Sequence, residues 1–219
     1  MHHQPLFLTV AGMFALFSMT ITGKEPIADT QPTMIDTAEL VEYATLAAPR
    51  RRLIETALAV GRDSPWLKYL PGSADPGAGG FDCSGAMVFV MHKVGLEPPR
   101  SSAAQFEWIR KNGNLHEVSA DASGWPHPSL AQLLPGDLLF WSITTTPPDG
   151  PAVTVIHHVA MYLGTRKSDG GRVMINSSEG RSYLGRKLNG YGVCDFRIPK
   201  PGSISRLAGY GPPPGMGSQ

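Results

Sequence analysis

The sequence predicts an α+β domain whose N-terminal helices pack on one side of an antiparallel β-sheet. Helical signals are confined to the first half of the chain, between about residues 36 and 112. Four strand-like runs then follow one another, at 138–141, 156–163, 172–177 and 193–198, separated by Gly- and Pro-rich turns. Helices early and strands late are the signature of this class. The 219 residues suffice for a sizeable core, and 25 glycines with 20 prolines indicate a loop-rich globule.

Residues 1–23 contain no Asp, Glu, Lys or Arg, and Leu6–Ile21 is almost continuously apolar. A helix of this length reaches about 24 Å, short of a ~30 Å hydrocarbon core. A secretory signal peptide is therefore expected, with small residues at Thr20, Thr22 and Gly23 for cleavage. Its amino end carries His2 and His3 but no Lys or Arg, and an uncleaved N-terminal anchor is the alternative. Residues 24–48 read as a linker and a short helix, the latter opened by Asp36 and Glu39 in capping-box spacing and running to Ala47.

Pro49 and Gly61 bracket a helix over Arg50–Val60, with Leu53, Ala57 and Val60 on one face. Pro71–Gly80 is an irregular loop. A second helix is predicted from Cys83 to Val94, closed by Gly95, and a third over Ala103–Asn112, capped by Ser102 and closed by Gly113. The turn Pro135-Gly136-Asp137 introduces the first strand. The domain is expected to span 49–200, with 201–219 a C-terminal tail whose GYGPPPGMGSQ end leaves the fold.

Lys plus Arg is 19 and Asp plus Glu 18, a balance that argues against a nucleic-acid binder. Cys83 and Cys194 allow either one disulfide or one reactive thiol. The seven histidines form no HExxH motif, and no CxxC spacing exists, so neither a metal nor a cofactor is expected.

The chemistry concentrates in three places. In Phe81-Asp82-Cys83-Ser84-Gly85, Cys83 follows a Gly-rich loop at the start of a helix. Free amides and the helix dipole there favour a thiolate, and the amides of Cys83 and Ser84 are placed to hold an oxyanion. Taken alone, such a cysteine equally fits a buried structural position. In the run 156–164, His157 and His158 point to opposite faces of a strand, so one of them can meet Cys83 as its base. Asn176, on the following strand, is placed to orient that imidazole in a Cys-His-Asn arrangement.

These segments resemble the NlpC/P60 family of cell-wall cysteine peptidases, and they occur in the family's order. Phe-Asp-Cys-Ser-Gly (81–85) matches its nucleophile motif and Pro-Arg-Ser-Ser-Ala-Ala-Gln (99–105) its helix-entry segment. Pro-Gly-Asp-Leu-Leu-Phe-Trp (135–141) matches the next strand, and His-His-Val-Ala-Met-Tyr-Leu-Gly (157–164) the histidine strand. The resemblance implies a papain-like NlpC/P60 fold, with Cys83 as nucleophile, His158 as base, Asn176 as third member and His157 as bystander. In place of the family's Pro-Tyr-x-Trp/Tyr-Gly-Gly segment stands Ser64–Gly72, where Trp66 or Tyr69 takes the position of the site-lining tyrosine. Asp82 is a further candidate for lining the substrate. Glu117–Pro128 and Ile143–Val155 read as insertions that shape access to the site.

The implied activity is hydrolysis of amide bonds in peptidoglycan stem peptides, between D-glutamate and a diamino acid, through a thioester. Alternatives are an N-acetylmuramoyl-L-alanine amidase or acyltransferase with the same nucleophile, and a non-catalytic wall-binding module. The implied location is outside the inner membrane, in the periplasm or cell wall. The expected partner is the stem peptide, with no nucleic acid, membrane contact only through an uncleaved amino end, and a monomeric state.

Overall fold

The computed structural model describes residues 33–64 and 67–216. The expected signal peptide and Trp66 lie outside the described residues. Three helices, α1 (Ala48–Asp63), α2 (Cys83–Lys93) and α3 (Ser102–Lys111), pack on one face of a six-stranded antiparallel sheet. Its strands are β3 (His116–Glu117), β4 (Leu138–Thr145), β5 (Val153–Thr165), β6 (Arg172–Tyr183), β7 (Arg186–Asp195) and β8 (Ser205–Gly211), in spatial order β3-β8-β4-β5-β6-β7. A separate parallel pair, β1 (Lys68–Tyr69) and β2 (Gly80–Phe81), leads into α2. Among the described residues, no helix is long and apolar enough to cross a membrane.

Alternation along β5 separates two cores. Val159, Met161 and Leu163 join the helices in the larger cluster, together with Leu53, Ile54, Met87 and Met91. Ala160 and Tyr162 face the other way, into a second cluster with Trp141, Phe196, Leu207 and Tyr210. Burial on both faces explains why β4 opens as a continuous apolar run, Leu138–Trp141. Val118, Ala122, Trp125 and Leu130 pack against this second cluster, so much of the expected insertion 117–128 covers the face away from the helices.

α1 does not stop at Gly61. It continues to Asp63, and Gly61 sits inside the helix with the end of the Met34 side chain packed over it rather than at its termination. The cap of α3 is Ser101, whose Oγ accepts from Ala104 N at 3.2 Å, one residue ahead of the expected Ser102. The predicted helix after Asp36 is instead two single 3-10 turns, Thr37–Glu39 and Tyr43–Thr45. The strands predicted over 172–177 and 193–198 are a longer hairpin, β6 and β7, reversing at Leu184-Gly185. The insertion 143–155 largely extends the β4/β5 hairpin.

The largest correction concerns the C-terminal tail. Residues 205–211 form β8, inserted between β3 and β4, with Leu139 opposite Tyr210 and His116 also opposite Tyr210. At the start of β4, Arg50 of α1 forms a buried ion pair with Asp137 at 2.8 Å and also donates to the carbonyl of Pro135 at 2.9 Å. Asp137 Oδ2 accepts from Leu134 N at 2.9 Å, which closes the turn.

Candidate active site

Cys83 is the first residue of α2, and its thiol is buried. Asp82 caps the helix through a 2.6 Å bond from Gly85 N to Oδ1, and the close turn needs Gly85 itself, where a Cβ would meet Ser73 O at 2.0 Å. Arg100 grips the same carboxylate, NH1 at 3.0 Å and NH2 at 2.6 Å, while Gly72 N donates to Oδ2 at 3.0 Å. Burial pushes the Asp82 carboxyl up, but the Arg100 and Gly85 hydrogen bonds outweigh it and hold the group below its ordinary range. The carboxylate is thus occupied in shaping the nucleophile's helix. Gln105 of α3, fully buried, donates to the carbonyls of Ser84 at 3.1 Å and Pro99 at 3.0 Å, fixing the start of α3 against that of α2.

β5 and β6 part company beside Cys83. Their ladder ends at Met161 opposite Ile175; before that point β5 pairs with β4 alone, and after it β6 pairs with β7 alone. At the opening, the backbone amide of Val159 acts on the Cys83 thiol in favour of its ionised form. His158, the preceding residue, lies on the other face, its ring 5.4 Å from that of Trp141. Asn176 spans the opening, with Nδ2 3.0 Å from His158 Nε2. Cys194 Sγ lies 3.6 Å from the same amide's Oδ1. Cys83 approaches the sheet from the helix side, and the His158–Asn176 pair lies on the opposite face where β5 and β6 part. No hydrogen bond joins Cys83 to His158 directly among the described residues. His157, exposed, meets Ser205 Oγ at 3.0 Å.

The electrostatics differ from the sequence expectation for the thiol. Burial raises the ionisation of Cys83 above its ordinary value, and the lowering effect of the Val159, Ser84 and Cys83 amides does not reverse this. Burial, with some help from His157, lowers His158 to about 4. At neutral pH the resting pair is a neutral thiol and a neutral imidazole, rather than a preformed thiolate–imidazolium.

Tyr69, half-buried on β1, has its phenol raised by burial and by the nearby Cys83, Asp82 and Glu179, so it borders the nucleophile. A cavity of about 510 Å³ extends from His158 and Asn176 past Trp141, Cys194 and Arg197. Cys83 and Cys194 are both free thiols on opposite sides of the sheet, so the disulfide alternative is not realised. No group of three or more metal-ligating side chains occurs among the described residues.

Sequence reasoning missed Trp141, which screens His158, the Val159 amide, and Ser177, whose Oγ donates to the carbonyl of Phe81 at 2.7 Å. The aromatic closing the run Leu138–Trp141 was visible; the strand separation that makes the Val159 amide available was not.

The sequence profile of the NlpC/P60 family matches residues 67–191, from β1 through the site to β7. The chain belongs to the NlpC/P60 family. Members of this family are generally cysteine peptidases. The α+β papain-like fold accords with this membership. Among solved structures, the chain is similar to a lipoprotein-like NLP/P60 family protein from Staphylococcus aureus, at 24% identity and a TM-score of 0.40, over 75% of this chain and 39% of that one. It is also similar to an NlpC/P60 family protein from Bacillus cereus, at 25% identity and a TM-score of 0.41, over 73% and 40%. An NlpC/P60 endopeptidase from Photobacterium damselae matches at 17% identity and a TM-score of 0.39, over 67% and 35%. The match spans two fifths or less of each of those proteins. No curated protein matches the chain.

Proposed function

We propose that this NlpC/P60 domain is a cysteine endopeptidase that hydrolyses amide bonds of peptidoglycan stem peptides, with Cys83, His158 and Asn176 as its catalytic residues. The observation that carries the reading is the pairing of His158 with Asn176 where β5 and β6 part, with Cys83 at the head of α2 and influenced by the Val159 amide of the histidine strand. Family membership supports the substrate class, and the bond between D-glutamate and a diamino acid is the preferred site.

Neutral His158 accepts the Cys83 proton as sulfur attacks the scissile carbonyl carbon, forming the C–S bond. The backbone N–H groups of Cys83 and Ser84, both at the head of α2, stabilise the resulting oxyanion. The imidazolium then gives its proton to the departing amine as the C–N bond breaks, leaving a thioester. Water, deprotonated by His158, attacks the thioester; the C–S bond breaks and the thiol recovers its proton. Asn176 orients the ring through its amide, and Tyr69 lies on the substrate side of the nucleophile. Export to the periplasm or cell wall, and action as a monomer, belong to the same proposal.

The test compares wild type with Cys83→Ala on purified sacculi, with fragments read by mass spectrometry. Wild type is expected to release peptides with a new amine on the diamino acid, and Cys83→Ala none. Identical fragments from both proteins would overturn the reading. Release of intact stem peptides from the lactyl group would replace it with the amidase alternative.

A further inference from the structure

Cys194 is 1% exposed on β7, and the mechanism above makes no use of it. Its neighbours are nevertheless those of the site. Sγ donates to Asn176 Oδ1 at 3.6 Å, and the other end of that amide meets His158 Nε2 at 3.0 Å. The three side chains form a hydrogen-bonded line from the interior of β7 to the catalytic imidazole. Burial pushes the Cys194 thiol up to about 12, so it keeps its proton across the whole working range and remains a donor.

The direction of this line has a chemical consequence. When Cys194 donates to the amide oxygen, the amide NH2 must face His158. Nε2 is then the ring nitrogen that accepts, and the neutral imidazole carries its proton on Nδ1. Turning the Asn176 amide end over end reverses every role once solvent water has taken the proton from Nδ1 and returned one to Nε2: NH2 then donates to Sγ, the carbonyl accepts from Nε2–H, and Nδ1 is bare and able to act as a base.

We propose that Cys194 is a positioning residue which, through the amide of Asn176, sets the resting tautomer of His158 with its proton on Nδ1. Rotation of that amide is then the step that readies the base. A thiol suits this place because sulfur donates weakly and accepts weakly, so neither orientation is locked. Arg181, Asp195 and Met174 also surround Cys194: the charges of Arg181 and Asp195 act on its thiol in opposite senses, and Met174 is its partner across the ladder. The guanidinium of Arg181 is engaged by the carbonyls of Gly190, Val193, Asn189 and Tyr191, so it does not compete for Asn176.

The inference uses the roles proposed for His158 and Asn176, but its test does not require turnover. In protein labelled with 15N-histidine, the His158 ring is assigned by its loss in His158→Gln and its tautomer read by NMR at pH 7. Wild type is expected to show the Nδ1–H form. Cys194→Ala is expected to move the population toward Nε2–H, and Cys194→Ser, which restores a donor, to return it. If Cys194→Ala does not fold, Cys194→Val fills the space without a donor and carries the same expectation. A wild type already in the Nε2–H form, or an unchanged tautomer in the apolar variant, would overturn the proposal. Failure of the sacculus experiment with the tautomer shift intact would remove the substrate reading and leave this one standing.

Discussion

The hydroxyl of Ser177 donates a 2.7 Å hydrogen bond to the carbonyl of Phe81, and both residues are fully buried. Ser177 follows Asn176, and Phe81 stands two residues before Cys83. The bond therefore joins the strand that orients the histidine to the turn that presents the nucleophile. It crosses the two halves of the site at the point where β6 has left β5.

Ser177→Ala is expected to lower kcat more than its effect on stability would imply. The Phe81 carbonyl still accepts from Leu70 N at 2.9 Å, so the loss is one buried bond, about 1 kcal/mol by denaturant midpoint. Steady-state kinetics checks the first part: an unchanged kcat would show that Ser177 serves packing alone.

The pH dependence follows from His158. With the ring lowered to about 4, the acid limb of kcat/KM is expected near pH 4 rather than near the ordinary 6.5. The same depression links to folding. The unfolded chain takes a proton on this histidine below about 6.5 and the folded protein does not until about 4, so stability is complete above 6.5 and declines as pH falls through that window. The decline amounts to at most about 3 kcal/mol. Urea midpoints at several pH values, for wild type and His158→Gln, measure it; parallel curves would refute it.

Alkylation distinguishes the neutral thiol from a preformed thiolate. Iodoacetamide is expected to modify Cys83 slowly at pH 7, faster as pH rises through and beyond 9, and to leave native Cys194 untouched. Peptide mass spectrometry assigns the site. A rate for Cys83 that is flat from pH 5 upward would mean that a resting ion pair exists.

Arg50 and Asp137 form a buried pair, 2% and 1% exposed, that fastens α1 to the head of β4. Asp137→Ala leaves the guanidinium without its partner and is expected to cost about 3–5 kcal/mol, measurable by denaturant unfolding. The double change Arg50→Met with Asp137→Leu is expected to recover much of that loss, since both charges go together.

The parts of the site that were legible in the sequence are those whose chemistry depends on residue type and order. Cys83 after a Gly-rich turn, His158 ahead of an alternating apolar strand and Asn176 on the next strand need no tertiary information. The ionisation of Cys83 does, because the desolvation of a buried thiol outweighs a helix terminus. The same limit applies to β8, which reads as a tail because Gly209, Gly211 and the prolines after them resemble an unstructured end. Those glycines answer to close approach instead: a Cβ at 211 would stand 2.1 Å from Asn114 O, and one at 209 would stand 3.0 Å from His116 O. Composition does not separate a glycine chosen for freedom from one chosen for lack of bulk.

The place of β8 also imposes an order in time. β4 gains its second neighbour, and β3 its one strand partner among the described residues, only when residues 205–211 are available. A chain delivered amino end first must complete β5, β6 and β7 while one side of β4 still offers bare N–H and C=O groups. Such an edge is a template for another chain. The interval between β4 and β8 is thus when this protein is most exposed to aggregation, and a truncation ahead of Ser205 would make that exposure permanent.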